Sequence, residues 1–418
     1  MSKDNYLLDE LIKIECPDST ARLFPALVYH KGKGSIIYDG EGRGYIDLSS
    51  GFSTLAIGHN HPYVQKAVLE YMAENGVVHG LGDVYASKPK IEFFEKLKTF
   101  LPEKFDTFSL AVTGSQAVEL ALKTSLLRTK RSGVICLRQG YHGLDMGAMV
   151  LTGMKKFSDP FLEWGKNSHV THIDSGEDLF SIEQKILEMR ASRKEVGSII
   201  LEPILGRFGG KPHPEGWLKA LYSLAKKYGI IVIFDEIYTG LGRTGVSFRA
   251  EIEPCDIICV GKAIGGGMPL SAVCASKEIM AAWPESRGEA IHTGTFFGHP
   301  LSCLYGKLTL DVIQNECLID RSKTIGDKAL EYLKARLYSG KCAEIVTDVR
   351  GNGLMISVEF NRPLFGVELM NRLRAEGVVL IPSGSEGKSI AITPALNIPE
   401  GTLFKALDKV VQVCDKLI

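Results

Sequence analysis

The chain has 418 residues, 45% of them hydrophobic, with Lys plus Arg and Asp plus Glu equal at 49 each. That length exceeds one ordinary domain and that apolar share supplies a substantial core, so one large and one smaller domain are expected. The neutral balance gives no electrostatic reason to expect nucleic acid or an anionic membrane as partner.

In chain order, the opening MSKDNYLLDELIKIECPDS mixes acids and bases and reads as neither a secretory signal nor a membrane anchor. No later window offers about 18 uninterrupted apolar residues. Residues 34–48, GSIIYDGEGRGYIDL, predict a hairpin, with IIYD and YIDL as strands and DGEGRG as the turn. From about residue 62, helices alternate with short apolar strands, expected at 109–112, 134–137, 198–201, 230–234, 257–260 and 271–275. Helices are expected at 117–128 and 216–227. This alternation implies an α/β fold with a mainly parallel sheet covered by helices on both faces. After His299-Pro300, helices run to about Leu337, VTDVRGNGLMISVEF reads as strand–turn–strand, and helix, strand and helix follow. The expected division is 1–58 as an N-terminal segment of the small domain, 59–312 as the large domain and 313–418 as a C-terminal α+β small domain. Nine cysteines without a CxxC pair favour a reducing cytoplasm, and Cys255 and Cys259 read as core rather than metal ligands.

Four segments follow predicted strands, where ligands of open parallel sheets bind. Thr113-Gly114-Ser115-Gln116 opens a helix and offers backbone N–H groups to a phosphate; the plain alternative is N-capping by Ser115. In Gly140-Tyr141-His142-Gly143 an aromatic between glycines can lie against a planar ligand, or simply be a core tyrosine at a turn. Asp235-Glu236 ends an apolar run, and acids there need a partner: a cationic ring nitrogen or a structural salt bridge. Lys262, in GKAIGGG, follows another apolar run; partial burial would leave its amine nucleophilic, while a surface lysine beside a flexible loop is the bland alternative. The segment is not the phosphate loop GxxxxGK[ST], because the lysine comes first. Phosphate cradle, stacking aromatic, carboxylate and nucleophilic lysine are together what pyridoxal phosphate requires.

The order and spacing of VTGSQAVELALK, GYHG, LEPI, DEIYTGLGRTG, VGKAIGGGMPLSAV, TGTFFGHPLSC, VRGNGLMISVEF and TPALNI resemble the class III aminotransferases over nearly the whole chain. The resemblance implies a fold type I enzyme with a seven-stranded sheet and pyridoxal 5'-phosphate held by Lys262 as a Schiff base. It implies Asp235 as partner of the ring nitrogen, Gly114 and Ser115 at the phosphate, Tyr141 stacked on the ring with His142 beside it, and Glu202 near the cofactor. Thr295 is implied to reach the phosphate of a neighbouring subunit, and with it a homodimer with shared sites. No metal is implied.

The chain departs from well-known members at five places: Gln116 for a glutamate, Tyr238 for a glutamine near the cofactor, Leu144 and Ala391 for arginines, and Arg207 for a glutamate. The two lost arginines weigh against a 4-aminobutyrate or ornithine donor. Arg207, with Arg22 next, is the candidate for the substrate carboxylate. The expected activity is transfer of an amino group from an amine or ω-amino acid to a keto acid by a ping-pong mechanism. An aminomutase or amino-acid racemase on the same scaffold is the alternative.

Overall fold

The computed structural model describes residues 3–21, 23, 26–82, 84–166, 168–288 and 290–418. Its centre is a seven-stranded sheet in the order Thr107–Ala111, Ser271–Ala275, Ile257–Val260, Ile231–Asp235, Val196–Leu201, Gly133–Leu137, Val170–Ile173. Only Ser271–Ala275 runs antiparallel to its neighbours; the other pairings are parallel. The inner strands are buried along their length, which is why they read as unbroken apolar runs. The edge strand Val170–Ile173, VTHI, is mostly half-buried and was not among the strands expected from the sequence.

Helix Gly114–Thr129 packs on one face of this sheet through Ala117, Val118, Leu120 and Ala121, and helix Trp217–Lys227 buries Trp217, Leu218, Leu221 and Leu224. Cys255 and Cys259 are fully buried in this core. The predicted hairpin forms, Ile36–Tyr38 pairing with Gly44–Asp47, and the second of these strands also pairs in parallel with Val378–Val379. The N-terminal hairpin thus joins the C-terminal part of the chain.

The helical stretch after His299 is two helices, Pro300–Asn315 and Leu318–Leu337, separated where Cys317 takes φ +50°. Beyond them lies a four-stranded sheet in the order Val346–Asn352, Met355–Phe360, Ser389–Ile392, Ile381–Ser383. All nine cysteines are free, and no cluster of metal-ligating side chains occurs among the described residues.

Candidate active site

The loops that carry the four segments converge. Gly114, Ser115, Tyr141, His142, Asp235 and Lys262 line one cavity of about 450 Å³, and Glu202, Arg207 and Tyr238 complete its wall. Thr295 stands apart, exposed and outside this lining. Arg22 lies outside the described residues.

Helix Gly114–Thr129 is capped by Thr113, whose hydroxyl accepts from Gln116 N, while Gln116 Oε1 accepts from Thr113 N and Val112 N. This capping box corrects the reading of Ser115 as the cap and gives Gln116 a structural task. Ser115 Oγ instead accepts from Asp145 N at 2.9 Å, at the far side of the Tyr141–Gly143 turn. Gly143 has φ +109°, and a Cβ there would stand 2.5 Å from Ser115 Oγ, so the two segments meet only because neither carries bulk.

Asp235 is buried and accepts from His142 Nδ1 at 2.8 Å through Oδ2 and from Ile237 N at 3.2 Å through Oδ1. His142 is itself buried, its N–H tied to Thr152 Oγ1, and its Nε2 has no partner among the described residues. His142 therefore orients the Asp235 carboxylate from the cavity wall. Glu236 points the other way, accepting from Thr239 Oγ1 and from the N–H groups of Arg249 and Ala250. It is a structural acid, pushed up to about 7 chiefly by burial.

Lys262 adopts φ +47°, a left-handed conformation that costs a non-glycine residue energy and concentrates at functional sites. Its Nζ lies 4.8 Å from the centre of the Tyr238 ring. Burial lowers its pKa, Asp235 and Glu202 oppose that, and Arg207 adds to it; the net direction is down. Tyr238 is buried, its hydroxyl facing Ser53 and Thr393 without a hydrogen bond of good geometry. Glu202, also buried, accepts from Tyr141 N at 2.9 Å and Gly206 N at 3.0 Å, and burial pushes it up to about 7.

Arg207 enters a second, smaller lobe of about 260 Å³ shared with Lys262, Tyr238 and Ala391. Its guanidinium lies 5.0 Å from the Tyr141 ring centre, 5.4 Å from Phe157 and 6.0 Å from Phe52. Among the described residues it forms no ion pair, with Glu202 or with any other acid. Phe52 and Phe157 went unnoticed in the sequence. Phe52 sits on a turn, Ser50 to Ser53, in which every φ is positive, from +41° to +67°. Asp47 Oδ1 braces that turn by accepting from Ser49 N and Ser50 N, and Ser50 Oγ donates to Thr393 O. The only sequence signal was the small-residue run SSGFS after a strand.

A family model described as aminotransferase class-III matches residues 18–414. The chain belongs to the class-III aminotransferases. It is accordingly an enzyme, a transaminase, and its cofactor is pyridoxal phosphate. The aminotransferase is 34% identical to the 5-aminovalerate aminotransferase DavT of Pseudomonas putida, with 97% of each chain covered. It is 32% identical to the acetylornithine aminotransferase of Methanothermobacter thermautotrophicus, over 91% of this chain and 92% of that one. The ornithine aminotransferase of Toxoplasma gondii shares the fold at a TM-score of 0.87 and 24% identity, covering 100% of this chain and 96% of the other.

Proposed function

We propose that this aminotransferase takes the amino group of an ω-amino acid and delivers it to a keto acid in a ping-pong exchange, with Arg207 gripping the carboxylate. The observation that carries this reading is a guanidinium without an ion-pair partner among the described residues, in the lobe that also holds Lys262. A carboxylate in a partly dry pocket needs a cation, and arginine's planar fork suits it. The names of relatives that act on 5-aminovalerate and acetylornithine agree with an amine at one end of the donor and a carboxylate at the other.

The cavity fits pyridoxal phosphate. Gly114 and Ser115 open helix Gly114–Thr129 on the cavity wall, and their N-terminal backbone N–H groups suit the phosphate. The Tyr141 ring suits the planar face. Asp235 has one histidine and one N–H as its partners, and suits a protonated ring nitrogen. Glu202 fixes the backbone of Tyr141, and Tyr238 fills the wall beneath Lys262. Bound there through Lys262, the cofactor supplies an electron sink for the donor carbon. Lys262, its amine held below the ordinary lysine range, accepts a proton at Nζ and returns it. Asp235, aimed by His142 Nδ1 at 2.8 Å, presents its carboxylate in a buried place. Arg207 orients the substrate by its carboxylate.

We read Thr295 as a cofactor contact across a homodimer, which agrees with its exposure beside exposed Ile291 and Phe296. The domain division stays at 1–58, 59–312 and 313–418, in keeping with the pairing of Val378 with Ile46. The compartment proposed is the cytoplasm, in keeping with nine unpaired cysteines.

The test is a half-reaction. Holoenzyme is mixed with 5-aminovalerate, N-acetylornithine or n-pentylamine without acceptor, and the visible absorbance of bound cofactor is followed. Bleaching is expected to saturate at much lower concentration with an amino acid than with pentylamine. Isomerised or racemised product without bleaching would favour the mutase or racemase alternative.

A further inference from the structure

The loop that carries Arg207 is pressed onto the four-stranded sheet. Ile204–Leu205 and Lys211–Pro212 form a two-stranded hairpin whose tip is Gly206–Gly210. Gly209 has φ +89° and Gly210 φ +62°. A Cβ on Gly209 would stand 2.6 Å from Arg350 Nη2, and one on Gly210 3.6 Å from Ser357 Cβ. Arg350, Ser357, Ala391 and Ile381 are register partners across the four strands, so their side chains share one face. The glycines at the hairpin tip lie flat on that face, and Ala391 and Ile381 continue it into the lobe beside Arg207.

Two hydrogen bonds pin this tip from the sheet. Arg350 Nε donates to Gly209 O at 2.7 Å, and Gly384 N donates to Arg207 O at 2.9 Å. Arg350 is itself held by Asp348 at 2.6 Å and Glu359 at 2.7 Å. Glu359 also takes Lys211, on the returning arm of the hairpin, at 3.2 Å. Gly209, Arg350, Glu359 and Lys211 thus link the tip of the loop and its returning arm to the sheet. Arg350 does not line the lobe and does not touch the reacting groups.

We propose that Arg350 is a positioning residue for substrate specificity: through Gly209 O and Glu359 it fixes the backbone from which Arg207 meets the carboxylate. The proposal rests on the reading of Arg207 given above. A rigidly held backbone matters here because Arg207 has no ion-pair partner among the described residues to hold its head group in place, and a flexible anchor would cost ordering entropy at every binding event.

The experiment combines hydrogen exchange with a double-mutant cycle on the holoenzyme. Arg350→Met removes the clamp, Arg350→Lys keeps a charge for Glu359, and Gly209→Ala drives a Cβ against Arg350. Exchange in the peptide spanning 204–212 should accelerate in Arg350→Met and Gly209→Ala, and less in Arg350→Lys. KM for the carboxylated donor should rise roughly tenfold in Arg350→Met with kcat within about twofold. The rise should vanish when Arg207 is already alanine. Unchanged exchange in 204–212 overturns the clamp whatever Arg207 does. Accelerated exchange with an additive KM effect in the Arg207→Ala background overturns its link to Arg207. Arg207→Ala with unchanged KM, beside accelerated exchange, overturns the carboxylate reading and the specificity role, and supports the clamp as geometry alone.

Discussion

Replacing Arg207 with alanine separates recognition from structure. The guanidinium lies over the faces of Tyr141, Phe157 and Phe52 and has no carboxylate partner among the described residues. Its removal therefore orphans no buried acid, the usual source of a large loss. The stability cost is that of cation–π contacts at a half-exposed site, about 1 kcal/mol, or a fall in melting temperature of no more than about 4 °C in a chain of this size. The binding cost is one charged, hydrogen-bonded contact of about 1.5–3 kcal/mol, which is roughly 10- to 100-fold in KM for a carboxylated substrate. The assay is steady-state kinetics of wild type, Arg207→Ala and Arg207→Lys with an ω-amino acid donor and with pyruvate and 2-oxoglutarate as acceptors, beside a thermal melt and a cofactor titration. KM within twofold of wild type for every substrate, or early unfolding with no change in KM, would refute the reasoning.

Asp235→Asn should keep the fold and the cofactor but lose activity by roughly 30-fold or more, since a buried charge partner is worth about 2–5 kcal/mol; near wild-type turnover contradicts the role. Thr295→Ala should release cofactor on dialysis faster than Ser302→Ala, a hydroxyl engaged with His299 in the same segment; equal retention in Thr295→Ala and wild type counts against a contact across the dimer. Glu202 gives a pH signature: burial raises it to about 7 in the folded chain, against about 4.3 when unfolded. Between those values the folded state holds a proton that the unfolded state releases, so its contribution to stability falls as pH rises through that window and is flat above it. Urea denaturation of cofactor-free Glu202→Gln should show a shallower decline from pH 5 to 7 than wild type, and identical slopes would refute the shift.

The inner strands were legible because burial on both faces leaves unbroken apolar runs, as in IIVIF before Asp235. The edge strand VTHI was not, because one short half-buried run with a histidine and a threonine looks like a loop. The convergence of the four segments on one cavity was legible because they follow strand ends of a mainly parallel sheet, so local signals added up. What stayed hidden depends on partners far apart in the chain. Nothing in the sequence pairs His142 with Asp235, 93 residues away, or Gly209 with Arg350, 141 residues away. Ser115 stands as an alternative cap for helix Gly114–Thr129 in sequence because neighbouring hydroxyls are interchangeable there, whereas the observed backbone puts Thr113 in the extended capping conformation. Phe52 was missed because its left-handed turn has no periodicity to read.

The central claim is that Lys262 carries the cofactor. Borohydride reduction of the holoenzyme, followed by proteolysis and mass mapping, tests it directly. A single pyridoxyl phosphate adduct is expected on the peptide containing Gly261-Lys262-Ala263, and none in Lys262→Ala. A label on any other lysine, or an undiminished label in the variant, would contradict it.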